Sequence, residues 1–116
     1  MIKSSETISE LFSEIPAKNK LGRDFLFARF LHEQNHPGVK IVIVVGKRFF
    51  KRAVDRNLIK RRIREAIRLN GNDLNDADGL ALLIIFRSKK IEPFDRIDKA
   101  IKELFTSLNT QLESNS

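Results

Sequence analysis

The chain has 116 residues, a formal net charge of +7 at pH 7 and 41% hydrophobic content, the size and composition of a single domain, 1–116, with a modest core. It contains no cysteine, which excludes disulfides and thiolate metal sites. No apolar run approaches the roughly 18–20 residues that span a bilayer, and Met1–Glu6 lacks the charged-then-apolar layout of a signal peptide, so a cytoplasmic protein with no membrane partner is expected.

Ile8, Leu11, Phe12 and Ile15 fall at helical spacing, and Pro16 ends the short helix they predict. Asp24–Leu31 is aromatic-rich and reads as a strand, with Phe25 and Phe27 on one face and Leu26, Ala28 and Phe30 on the other. Asn35-His36-Pro37-Gly38 is a turn. Lys40–Val45 is a β-branched run and predicts a second strand; a further strand has room between the two.

From Val54 to Leu69 there is no Gly or Pro, and Ile59, Ile63, Ala66 and Ile67 form one apolar stripe of an amphipathic helix. Asn70-Gly71 stops it. An acidic, turn-rich stretch follows, and then Leu80–Phe86, a continuous apolar run read as a strand buried on both faces. Pro93 suits the first turn of a last helix, along which Phe94, Ile97, Ile101, Leu104, Phe105 and Leu108 recur at 3–4 spacing. The polar end, about 109–116, is expected to fray. The order predicts an α+β fold: a small two-layer α/β sandwich, one sheet with helices on one face and a βαβ crossover through the basic helix.

The positive charge is concentrated. Lys47–Arg68 holds ten Lys/Arg against Asp55 and Glu65, a net +8, while the other 12 basic and 13 acidic residues leave the rest of the chain at −1. Such a segment on a near-neutral body is the footprint of a polyanion binder, most often of nucleic acid. At about 100° per residue, Lys60, Arg61, Arg64 and Arg68 share one arc beside the apolar stripe, with Arg56 at its border. From Arg56 to Arg68 arginine outnumbers lysine five to one, which favours bidentate contact with phosphate. Lys47, Arg48, Lys51 and Arg52 precede the helix and reach toward the same backbone. A helix-turn-helix DNA reader needs a second helix just ahead; a strand stands there, so no DNA partner is expected.

Gly46-Lys47-Arg48 and then Arg52-Ala53-Val54-Asp55-Arg56-Asn57-Leu58-Ile59-Lys60-Arg61-Arg62-Ile63-Arg64-Glu65-Ala66-Ile67-Arg68 resemble the signature of the bacterial ribonuclease P protein subunit. The resemblance extends from about Ile8 onward. It implies a left-handed βαβ crossover, where the usual rule gives a right-handed one. It also implies a subunit of an endoribonuclease that removes the 5′ leader of precursor tRNA, with the catalytic groups and most of the Mg2+ carried by the ribonuclease P RNA. Carried over by motif, Lys47, Arg48, Arg52, Arg56, Asn57, Lys60, Arg61, Arg64 and Arg68 would bind that RNA. For Asn57, a cap or brace of the first helical turn is the other reading. The family's Phe-x-x-x-Phe appears as Ile8-x-x-x-Phe12, so Phe12, and after it Phe30, are the candidates for stacking against the leader in an aromatic cleft; core packing is the alternative for both. The usual Arg-Asn-Arg reads Arg56-Asn57-Leu58 here, Asp55 stands where a basic residue is common, and Tyr and Trp are absent.

Three other readings are weighed against this. A ribosomal or RNA-chaperone-like protein would use the same helix without any role in cleavage. A protein-only nuclease would need clustered carboxylates, for which Asp73, Asp76 and Asp78 are the one dense group; solvation of the loop explains them better. His32-Glu33-Gln34-Asn35-His36 matches a zinc-protease pattern, but that chemistry needs both histidines on a helix, and Pro37 opposes helical geometry at His36.

Overall fold

A computed structural model of the chain describes residues 20–32, 38–71 and 79–114. Four strands and two helices follow in the order β1 (Lys20–Arg23), β2 (Leu26–His32), β3 (Val39–Val45), α1 (Ala53–Asn70), β4 (Leu80–Phe86) and α2 (Phe94–Ser114). The sheet order is β1-β2-β4-β3. β2 runs antiparallel to β1 and β4, and β3 runs parallel to β4, so α1 is the crossover between neighbouring parallel strands.

Register decides which side chains are inside. Leu26 pairs with Phe86, Ala28 with Ile84 and Phe30 with Leu82, while Ile41, Ile43 and Val45 flank the same β4 residues from the other side. Because side chains alternate along a strand, these residues share one face. That face forms a single core with Ile59, Ile63 and Ala66 of α1 and Ile97, Ala100, Ile101, Leu104, Phe105, Leu108 and Leu112 of α2. Both helices therefore lie on one side of the sheet, as the α+β reading expects. On the other face of β4, Leu83 is also buried.

The sequence reading needs several corrections. The extra strand precedes β2 instead of following it. Lys20–Arg23 has no apolar alternation of its own and is held by pairing with β2. Asp24 adopts a positive φ of 58° in the connecting turn, a conformation Asp tolerates better than most residues. The turn swings Phe25 out of the strand pattern, so it does not share a face with Phe27. The Phe25 ring packs edge-on against Phe86, with centroids 5.3 Å apart, and Phe50 approaches Phe86 at 5.9 Å from the other side. The C-terminal helix runs to Ser114 through much of the stretch expected to fray; Leu108 and Leu112 carry its apolar stripe onward into the core. The N-terminal helix expected around Ile8–Phe12 and the Asp73–Asp78 group lie outside the described residues.

Polar anchors join the layers. α1 ends at Asn70, as its sequence predicts, but Gly71 keeps right-handed helical geometry (φ −60°) instead of forming a left-handed cap. Asn70 is buried, and its Nδ2 donates to Ala66 O at 2.8 Å and to Asp98 Oδ1 of α2 at 2.7 Å. Arg62, off the cation arc, donates to Glu92 O at 2.7 Å. The buried Glu92 carboxylate accepts from Ser88 Oγ at 2.6 Å and lies 3.2 Å from Arg96. Replacing Asn70 by Ala removes both bonds, one of them to the carboxylate of the half-buried Asp98, and should lower the unfolding free energy by about 1–3 kcal/mol. Leu69→Ala, one residue away and 53% exposed, should stay within about 0.5 kcal/mol; urea titration of the two variants checks both.

Candidate nucleic-acid interface

The basic surface follows from the packing of α1. With Ile59, Ile63 and Ala66 held against the sheet, Arg61, Arg64 and Arg68 are exposed and Lys60 is half-buried beside them. The turn at Lys47–Phe49 and the residues after it add Lys47, Arg48, Lys51 and Arg52, all exposed, at the N-terminal end of the same helix. Among the described residues, Lys47, Lys51, Lys60, Arg61 and Arg64 have no acidic partner within 4 Å. The arc predicted from spacing is thus one continuous cationic ridge.

Not every predicted cation is equally available. Arg52 is 4.0 Å from Asp55, and both remain accessible. Arg68 is clamped by Glu65: its Nε donates to Oε2 at 3.2 Å and its Nη2 to Oε1. The hydrogen bond from Arg68 is the main cause holding the Glu65 carboxyl below its ordinary value, and the same bond raises Arg68. Because the folded carboxyl value is lowered, the clamp is present at neutral pH and is lost as pH falls through that lowered value.

Arg56 does something else. It is half-buried, and its Nη1 donates to Phe50 O at 2.7 Å and to Lys51 O at 3.0 Å. It therefore braces the loop that carries the other cations. Asn57 is exposed and is the fifth residue of α1, a full turn beyond the N-cap position at Arg52, so it does not cap the helix. Bracing, where it was considered for Asn57, is supplied by the arginine beside it. Leu58 is half-buried.

The aromatic candidates change places. Phe30 is 1% exposed on the helix-covered face, fills the core and presents no ring to a ligand. Phe12 lies outside the described residues. The neighbour of opposite parity, Phe27, is 37% exposed on the other face of the sheet. Its ring lies over Gly22, where an added Cβ would sit 3.0 Å from a ring carbon, and the Arg87 guanidinium stands 4.9 Å from its centroid. A part-exposed ring beside a glycine, with a guanidinium 4.9 Å from its centroid, has the components of a base-stacking surface. The alternation of β2 contains this ring, but only the register with β4 tells which parity faces out. His32 closes β2 as a strand residue, and the rest of the His-Glu-x-x-His stretch lies outside the described residues.

Neutralising Glu65 should release Arg68 to the ridge and remove an opposing charge. Glu65→Gln is expected to tighten binding of a nucleic-acid probe several-fold and to steepen the dependence of log K on log salt by roughly 0.7–0.9, the effect of one more phosphate contact; binding titrations at several salt concentrations measure both.

A sequence model of the family described as Ribonuclease P matches residues 2–109. The ribonuclease P protein component of Ralstonia pickettii is 36% identical over 77 residues, which cover 66% of this chain and 55% of that protein. The component from Mycoplasma genitalium is 31% identical over 112 residues, covering 89% of this chain and 86% of that one. The match thus spans about half the length of the first relative and most of the second. Among solved structures, the RNase P protein of Staphylococcus aureus superposes with a TM-score of 0.74 at 18% identity, over 92% of this chain and 93% of that chain. The RNase P protein from Thermotoga maritima, in complex with 1-(4-fluorophenyl)-2-thiourea, does so with a TM-score of 0.65 at 25% identity, over 93% and 95%.

Proposed function

The chain belongs to the ribonuclease P protein family, and we propose that it works as the protein component of a tRNA-processing ribonucleoprotein endonuclease, binding the ribonuclease P RNA and the 5′ leader of precursor tRNA. The observation that carries this reading is the cationic ridge of α1, continued through Lys47, Arg48, Lys51 and Arg52 and largely without acidic partners. The chain's part in the reaction is electrostatic and positional. Lys47, Arg48, Arg52, Lys60, Arg61, Arg64 and Arg68 neutralise phosphates of the catalytic RNA, with Asn57 as a polar contact among them. Arg56 holds the loop in place for them.

The leader is assigned to the face of the sheet opposite the described helices, where the Phe27 ring and the Arg87 guanidinium give stacking that tolerates any base. Phe12 keeps its role as a leader contact on the strength of the family motif. The Mg2+ of the reaction belongs to the RNA in this proposal. Among the described residues, no three acidic, histidine or cysteine side chains converge to hold a metal. The chain acts as one RNA-binding domain in the cytoplasm; no helix among the described residues is long and apolar enough to cross a membrane.

The test is cleavage of a 5′-labelled precursor tRNA at low magnesium with ribonuclease P RNA alone, with this protein alone, and with both. Cleavage at the mature 5′ end that requires both is the expected result. Binding to the RNA without any gain in cleavage would favour a general RNA-binding protein, and cleavage by the protein alone would favour a protein-only nuclease. In the same assay, Lys60→Ala and Arg64→Ala should raise the protein concentration needed for half-maximal cleavage, by a factor that shrinks as salt is raised.

A further inference from the structure

Phe49 is not explained by the core or by any contact assigned above. Its ring is 41% exposed at the end of the Lys47–Phe49 turn. Singly exposed apolar side chains are ordinary, and Val54 and Leu69 are more exposed still. What distinguishes Phe49 is where it stands and how it is held. Its chain neighbour Phe50 is buried against Phe86, which pins the backbone immediately after the ring. Arg56 reaches back from α1 to the carbonyls of Phe50 and Lys51, which fixes the same segment to the helix. The Arg48 guanidinium lies 5.8 Å from the Phe49 ring centroid. Exposed cations at Lys47, Arg48, Lys51 and Arg52 flank the ring on both sides along the chain.

We propose that Phe49, with Arg48, is a stacking platform for one unpaired base of the catalytic RNA. The flanking cations would hold the phosphates on either side of that nucleotide. A rigid aromatic ring between phosphate-binding side chains is the arrangement that grips unpaired nucleotides, and it is sequence-tolerant because every base has a π-face. Duplex phosphates bound by the α1 ridge would then run directly into an unstacked nucleotide at the N-terminal end of the helix. Arg56 is the positioning residue of this platform, acting through the two carbonyls it holds. The inference rests on the RNA-subunit reading given above.

The chain contains no Trp and no Tyr, so Phe49→Trp introduces a single fluorophore at the proposed contact. Binding of ribonuclease P RNA is measured for the wild type, Phe49→Ala, Phe49→Leu and Phe49→Trp at several salt concentrations, with thermal melts as the check on folding. The expected result is that the Ala and Leu variants melt like the wild type and lose about 5- to 150-fold in affinity. Their salt slope should not change, because no phosphate contact is lost. Phe49→Trp should bind like the wild type, with its emission quenched on saturation. If both truncations bind with wild-type affinity and the Trp emission does not change, the platform is refuted while the subunit reading stands, because the wild type still binds. If the wild type itself shows no salt-dependent binding to the RNA, the subunit reading fails and the platform fails with it.

Discussion

The structure depends on α1 facing two opposed solvents. One stripe of the helix, Ile59, Ile63 and Ala66, is wholly withdrawn from water in the core that it shares with the sheet and α2. The adjacent arc holds like charges a turn apart, which repel one another on an isolated helix. Burial of three such side chains is worth several kcal/mol and offsets that repulsion. The helix can therefore carry a charge density that helix propensity alone would not support. Occupying the ridge with a polyanion removes the repulsion, so polyanion binding and the stability of the fold are thermodynamically linked.

The next layer of organisation is the end of the sheet at which the helix begins. β3 delivers the chain there at Val45, β4 ends beside it at Phe86, and the β1–β2 turn closes the same edge. Phe25, Phe86 and Phe50 plug that end of the core, and Arg56 ties the loop above it to the helix. The pair Phe27 and Arg87, on the face opposite the described helices, lies one strand position away from the plug. The aromatic core at this end is thus also the mount for the surrounding polar groups, and a cavity made in it would disturb surface geometry as well as stability.

What could be read from the sequence was what repeats along it. The α1 helix, its charged arc and the bounds of β4 follow from periodicity and composition, because burial writes those patterns directly. The motif that carries the family resemblance lies in the same helix for the same reason. β1 left no trace, since Lys-Leu-Gly-Arg is a strand only by virtue of its partner. For Phe30, stacking and core packing stay open in the sequence because alternation gives two faces but does not say which is covered; its pairing with Leu82 puts it on the helix-covered face, and Phe27, paired with Ile85, on the other. Arg56 fell at the edge of the phosphate-facing arc, yet its hydrogen bonds go to two loop carbonyls. A backbone carbonyl carries no residue-specific signature, so no pattern in the sequence announces that use.

The parallel pairing of β3 with β4 sets the two ends of the sheet apart. Both strands start at one corner, where Gly79 N donates to Gly38 O at 2.8 Å and both glycines take positive φ. Val39 and Leu80 begin the two strands there, at the opposite end from the Lys47–Phe49 turn. A change at that corner acts seven paired residues away from the cationic end. The fold therefore separates a corner joined by two positive-φ glycines from an end whose backbone is pinned by a ring cluster and an arginine.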